Sequence, residues 1–419
     1  MASKALSGCA DGDRRGPSDA AAEPPRAGEH DGAQLGDGAS DPHPARPPAE
    51  PPGLTYVLPI RRWRSPAEAE LAQYLEWLAV EPGVQVVAVD GSPPEIFAAH
   101  RAAWPEGVHH FPVDADLTGV CGKVNGVITG LRAAAHERVV IADDDVRWDR
   151  AGLRRMGGLL DHAELVCPQN HFDPLPWHAR WDTARTLMNR AAGIDFPGTL
   201  GVRRSAVLAA GGYDGDALFE NLELIRTVQA FGGRAVSAPD LYVRRLPPSG
   251  AHFWSQRVRQ AYDDLTLPVR FAGELALGPL VAALIARGRL RPVAVGALAA
   301  TTAAEVGRRR AGGASVFPPS CSLLAPVWLG ERALCAWAAL WLRLARGGVL
   351  YGGTRVRKPA NPPAVLRRRR QVREPSRGRL APRGRPARAG CYGHAGDGGD
   401  GGGATGATAR RPAPAAGRR

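Results

Sequence analysis

Cysteine is sparse in this 419-residue chain: Cys9, Cys121, Cys167, Cys321, Cys335 and Cys391 are scattered with no C-x-x-C pair. That spacing argues against a zinc site or a disulfide framework and fits a reducing compartment. The N-terminus is acidic and has no apolar h-region, so it does not read as a secretory signal peptide. Nowhere does an apolar run reach the ~20 unbroken residues of a bilayer span. Strong acidic or basic character is also missing from the middle of the chain. Residues 1–53 carry a net −4 and residues 359–419 a net +11, which leaves +6 of the total +13 for the 305 residues between them. The high overall pI therefore describes the tail. It does not imply a nucleic-acid partner, and no aromatic residues interleave the arginines to suggest one.

Both ends are rich in Pro, Gly, Ala and charge and poor in aromatic and β-branched residues. Such segments cannot bury enough apolar surface to offset ordering entropy. Residues 1–50 and 359–419 are accordingly expected to be disordered. Arg367-Arg368-Arg369-Arg370 in the second of these would be drawn to anionic lipid, by on the order of 1 kcal/mol per basic residue.

What the chain does contain is a set of strands that end in polar residues. Leu54–Ile60 reads as a strand and Ala67–Leu78 as a helix with Leu71, Tyr74, Leu75 and Leu78 on one face. A second strand, Val84–Val89, ends in Asp90-Gly91-Ser92. Strand, helix and strand with short links form a βαβ unit with parallel strands and a right-handed crossover. Lys123 opens a helical stretch whose Val127, Leu131 and Ala134 share a face. Val139-Val140-Ile141-Ala142 then closes on Asp143-Asp144-Asp145. Three carboxylates at the C-terminal end of a buried strand are costly to desolvate. A hard divalent cation with oxygen ligands offsets that cost, and open α/β sheets place ligands at such strand ends.

In this order, Asp90, Lys123 and the Asp143-Asp144-Asp145 strand end resemble the nucleotide-sugar half of family 2 glycosyltransferases. Pro197-Gly198-Thr199-Leu200-Gly201-Val202, Gly211-Gly212-Tyr213-Asp214, Phe219-Glu220-Asn221-Leu222-Glu223-Leu224 and Gln256-Arg257-Val258-Arg259-Gln260 are similar to the acceptor half, ending in a Gln-x-x-Arg motif of membrane-associated members. The resemblance covers about residues 54–262.

It implies a Rossmann-like GT-A domain over 54–267, followed by an apolar helical region over 268–358. It also implies an inverting transfer from a nucleotide-diphosphate sugar to a hydroxyl of a glycan or lipid acceptor. Asp143 and Asp145 would hold Mg²⁺ or Mn²⁺ on the diphosphate. Asp90, Lys123, Asp144, Gln256 and Arg259 would contact substrate. Glu220, with Glu223 in reserve, would be the general base. The chain departs from the family at two positions: Asn221 stands where relatives carry an acid, and Gln260 where they carry Trp. A sugar-nucleotide pyrophosphorylase is disfavoured because Pro59-Ile60-Arg61-Arg62-Trp63-Arg64 has no glycine for a phosphate loop. A non-catalytic, membrane-bound scaffold is the reading from another class.

Three apolar stretches follow: Phe271–Ala286 with Glu274 inside it, Leu290–Ala304, and Val316–Leu344 broken by Glu331-Arg332. Trp328, Trp337 and Trp341 in the last favour a membrane interface. The expectation is association with an anionic membrane surface, with the catalytic domain cytoplasmic.

Overall fold

The computed structural model describes residues 53–62, 69–193 and 195–373. In chain order the α/β part contains β1 (Leu54–Ile60), α1 (Ala69–Ala79), β2 (Val84–Asp90), α2 (Pro94–Ala103), β3 (Val108–Pro112), α3 (Gly122–Ala133), β4 (Arg138–Ala142), β5 (Val146–Arg147), α4 (Arg150–Leu160), β6 (Leu165–Phe172), α5 (Trp177–Ala192), β7 (Thr199–Arg203), α6 (Arg204–Ala209), α7 (Glu220–Ala230), β8 (Ala235–Arg245) and α8 (Gly250–Asp263). The helical part that follows has α9 (Pro268–Ala286), α10 (Leu290–Arg309), α11 (Pro319–Leu323) and α12 (Ala325–Ala345). A hairpin of β9 (Val349–Tyr351) and β10 (Thr354–Val356) and a last helix, α13 (Pro363–Arg373), complete it.

One eight-stranded sheet runs β3-β2-β1-β4-β7-β6-β8-β5. Its first four strands are parallel, as the βαβ reading requires, and β7 enters antiparallel beside β4. The strands alternate between two cores, as period-2 side chains must when both faces are covered. Tyr56, Leu58, Val86, Ala88 and Val140 face Leu71, Leu75 and Leu78 of α1 and Met156 and Leu160 of α4. Val57, Val87, Val89, Val139 and Ile141 face Val124, Val127 and Leu131 of α3 and Val228 of α7. The α/β, Rossmann-like expectation for the parallel half therefore stands. Parallel register sets Ile60 opposite Asp90 and Val57 opposite Ile141. The C-terminal ends of β1, β2 and β4 thus share one edge of the sheet.

The helical region packs on the α/β body and shares cores with it. Leu187 of α5 meets Ala300 and Ala304 of α10 and Trp328 of α12. Tyr262 of α8 meets Phe271 of α9 and Ala336 and Ala339 of α12. The charges that interrupt the apolar runs turn inward: Glu274 and Arg332 are buried. On the outer surface stand Val269, Leu280 and Ile285 of α9, Val295 and Leu298 of α10, and Leu334, Trp337 and Trp341 of α12. The inner faces are thus mainly apolar with a few buried charges, and the outer faces carry large apolar side chains as well. Among the described residues, α9 is the one helix long and apolar enough to cross a membrane by length and composition.

The disorder expected from residue 359 is corrected for 359–373. Leu366 of α13 is buried, and this helix packs against α7. Leu218 N donates to Lys358 O (3.1 Å) and Phe219 N to Pro359 O (2.7 Å), so the strand-like link before α13 seals the start of α7. Arginine-rich composition hid one apolar anchor and a set of backbone bonds. Residues 1–50 and 374–419, also expected to be disordered, lie outside the described residues.

Candidate active site

The Asp triplet leaves β4 at the shared sheet edge, and each carboxylate meets a cation. Lys123 Nζ lies 2.6 Å from Asp143 Oδ1, Arg62 Nη2 lies 2.6 Å from Asp144 Oδ2, and Arg245 Nε lies 2.8 Å from Asp145 Oδ2. The same guanidinium reaches Asp143 Oδ2 at 3.5 Å, so Asp143 and Asp145 converge on one point. Arg245 ends β8, a strand distant in sequence, and no motif pointed to it. Gly198 faces this junction: a Cβ there would sit 2.8 Å from both Asp143 Oδ2 and Arg245 Nη1. A larger residue there would have to displace the ends of both side chains.

Lys123, at the start of α3, also reaches Glu220 Oε1 at 2.9 Å. Burial alone would lower its pKa, but the Asp143 and Glu220 carboxylates raise it well above the ordinary value. The ammonium is thus held charged between the strand edge and the first residue of α7. Asn221 Nδ2 donates to Pro197 O (2.9 Å), so the neutral amide at this position ties α7 to the loop before β7.

The residues present fit a divalent cation at Asp145. Its Oδ1 is buried with no hydrogen-bond partner. Burial and then the neighbouring Asp143 charge push this carboxyl above its ordinary range, with Arg245 opposing. An open oxygen on a carboxylate short of positive charge is what a hard cation takes up.

Two expected site residues are placed elsewhere. Asp90 was expected to meet the nucleotide, but its side chain is fully buried. His100 Nδ1 of α2 (2.6 Å) and His110 Nε2 of β3 (3.2 Å) both contact its Oδ2, and Ser92 N donates to its Oδ1 (2.8 Å). Burial would raise this carboxyl's pKa, but those three partners hold it well below the usual carboxylate range. Among the described residues this is the one trio of side chains with ligating atoms close enough for a metal ion. A 2.6 Å separation nevertheless suits a hydrogen bond better than two ligands on one tetrahedral ion, which stand roughly 3.3 Å apart at zinc bond lengths. Asp90 is a buried support for the loop after β2.

Glu223 is the second correction. It was expected to share the cleft-facing side of α7 with Glu220, yet it is 0% exposed. Its two oxygens accept from Asn361 N and Asn361 Nδ2, both at 2.7 Å. Asn361 lies 138 residues further along the chain. Asn361 and Lys358 also donate to Asp214 of the Gly-Gly-Tyr-Asp turn, in which Gly211 and Gly212 have φ of +75° and +77°. Glu223 is part of the link between α7, this turn and the C-terminal segment.

The remaining expected residues lie on α8. Arg259 Nε donates to Gln256 Oε1 (2.5 Å), and its guanidinium sits over the Tyr351 ring. Gln260 accepts from Arg257 and, at 3.4 Å, from Arg332 of α12. A single cleft is lined by Asp143, Glu220, Asn221, Arg245, Arg259, Gln260, Asp263, Arg270 and Arg332. The cleft therefore draws on the strand edge, α7, α8 and the helical region together. Sequence reading missed Asp263, Arg270 and Arg332. Asp263 had a signal, because it lies four residues after Arg259 on the same helix face.

No protein-family model matches the chain, and no curated protein matches it. Among solved structures, the chain is similar to a mannosyltransferase from Pyrobaculum calidifontis in complex with GDP-Man and Mn²⁺. The two are 20% identical, with a TM-score of 0.43 over 71% of this chain and 88% of that one. It is also similar to S. aureus TarS in complex with UDP-GlcNAc (13% identical, TM-score 0.35, 48% of this chain and 61% of that one). A third similar structure is glucosyl-3-phosphoglycerate synthase from Mycobacterium tuberculosis with Mn²⁺, UDP and phosphoglyceric acid (16% identical, TM-score 0.34, 48% and 74%).

Proposed function

We propose that the chain transfers a sugar from a nucleotide-diphosphate donor to an acceptor hydroxyl, with Mg²⁺ or Mn²⁺ held by Asp143 and Asp145. The observation that carries this reading is the convergence of Asp143 and Asp145 at the sheet edge, beside Lys123 and Arg245 and across a cleft from Glu220. A bound cation would neutralise charge that develops on the leaving diphosphate. Lys123 adds a fixed positive charge beside it, and Arg245 and Arg259 supply planar donors suited to phosphate oxygens. The two walls of the cleft have different origins. The strand edge would take the donor, and α7, α8 and the arginines of the helical region would take the acceptor. A direct displacement, with the acceptor oxygen entering opposite the leaving diphosphate, would invert the anomeric centre. Purified protein screened against UDP-, GDP- and dTDP-sugars with Mn²⁺ is expected to hydrolyse one donor slowly. Neither binding nor hydrolysis across the panel would contradict the reading.

The exposed apolar residues of α9, α10 and α12 support a place at a membrane surface, which we take to be the cytoplasmic face. Apolar outer faces on α9, α10 and α12 would enter the headgroup boundary, stabilised by roughly 25 cal/mol per Å² of apolar burial. Arg287, Arg289 and Arg291 are exposed at the turn between α9 and α10, where anionic headgroups would meet them. Co-sedimentation with vesicles containing anionic lipid tests this. High salt should weaken binding only in part. The combination Leu334→Glu, Trp337→Glu and Trp341→Glu should reduce it at least tenfold, because burying one such side chain is worth about 1.5–3 kcal/mol. Full release by salt alone would leave only the arginines in contact with lipid.

A further inference from the structure

We propose that Asp263, not Glu220, is the general base that deprotonates the acceptor hydroxyl; this rests on the sugar-transfer reading of the same cleft. Asp263 is the last residue of α8 and lines the cleft with Asp143 and Glu220. Its Oδ1 is buried and has no hydrogen-bond partner. A cleft-lining carboxylate with one oxygen free of any hydrogen-bond partner can take the proton of a hydroxyl bound beside it. Glu220 is less free. Its Oε1 holds Lys123, and that ammonium also holds Asp143, so protonating Glu220 would break a half-buried three-residue ion cluster. The next residue, Asn221, is a neutral amide that donates to Pro197 O and offers no base.

The surroundings of Asp263 tune it to the role. Burial is the largest influence and pushes its pKa up to about 7, with Glu220 of α7 and Asp264 adding to it. Arg259 on its own helix and Arg332 from α12 oppose that shift. Asp143, Arg245 and Arg270 line the same cleft. A base works best with a pKa near the operating pH. In the step itself, the acceptor O–H gives its proton to Asp263 as the oxygen bonds to the anomeric carbon. The bond from that carbon to the diphosphate oxygen breaks, and the nucleoside diphosphate leaves with the electron pair. Asp263 then returns the proton to solvent. In hydrolysis, water takes the acceptor's place.

The test is the pH profile of Mn²⁺-dependent hydrolysis of the sugar nucleotide that the full chain turns over, together with calorimetric binding of that donor. In the wild type, kcat should rise through about pH 7 as Asp263 loses its proton. Asp263→Asn should lower kcat by about 10²–10⁴-fold, the usual worth of a general base, and leave donor affinity within about threefold. Glu220→Gln should keep the rise but move it to lower pH, because the Glu220 charge helps to raise Asp263. Thermal unfolding gives a readout independent of turnover. A carboxyl whose folded pKa is raised contributes stability below its unfolded pKa and loses it as pH rises through the folded one. Asp263→Asn should therefore gain Tm relative to wild type on going from pH 5 to pH 8. Hydrolysis by Asp263→Asn at the wild-type rate, or a rising limb that survives in Asp263→Asn and disappears at every pH in Glu220→Gln, would overturn the assignment. A wild type that neither binds nor hydrolyses any sugar nucleotide would overturn the sugar-transfer reading, and the assignment with it.

Discussion

Asp145→Asn is expected to abolish Mn²⁺-dependent donor binding while the protein stays folded. The substitution keeps the size of the side chain but removes the charge that meets Arg245 and the open Oδ1 assigned to the cation. Changes in groups that merely support metal ligands cost about 10–100-fold in affinity. A change in a ligand itself should cost more than about 100-fold. Free Mn²⁺ read by electron paramagnetic resonance during titration gives the affinity directly, and circular dichroism checks the fold. Unchanged Mn²⁺ affinity in the variant would remove Asp145 from the metal site and leave the triplet as an ion-paired turn.

The second large effect concerns stability. Glu223→Ala is expected to destabilise the fold by roughly 3 kcal/mol, because two buried hydrogen bonds are lost and the Asn361 backbone N–H is left without a partner, while Asn361 Nδ2 keeps only Asp214. At this chain length that is a fall in Tm of several degrees. Glu223→Gln keeps one acceptor and should lose less. Donor binding per folded molecule should not change, since Glu223 does not reach the cleft. A Glu223→Gln protein with wild-type Tm and lost turnover would return this residue to the list of bases.

The parts of the site that were legible in the sequence are those whose cost was local. Three consecutive carboxylates at the end of a buried strand are expensive wherever they stand, so Asp143 and Asp145 stood out as candidates before any fold was known. Lys123 was legible because a strand end and a helix start bring it to the same edge. Asp90 carried the same strand-end signal and was misread. Its partners His100 and His110 lie on the next helix and strand, and their convergence depends on how α2 packs over β3. Glu223 was misread for a related reason. Three-residue spacing puts it near Glu220 on α7, but side chains 60° apart around a helix can face different neighbours, and Asn361 claims one of them. Arg245 and Arg332 come from strands and helices far along the chain, where no short motif marks them. The helical region was legible as apolar but not in its sense. Glu274 and Glu331-Arg332 read as breaks in membrane spans, whereas Glu274 and Arg332 are buried against the α/β body and leave apolar faces outside. The periodicity was present, but a single sequence does not say which face of a helix the protein occupies.

The central claim is that the edge formed by Asp143, Asp145, Lys123 and Arg245 binds a nucleotide-diphosphate sugar together with a divalent cation. Calorimetric titration of wild-type protein with UDP-, GDP- and dTDP-sugars, in Mn²⁺ and again in excess chelator, tests it most directly. The account predicts saturable binding of one nucleotide class in Mn²⁺, with affinity at least tenfold weaker in chelator. Binding that is equally tight in both conditions, or absent for every donor, would contradict it.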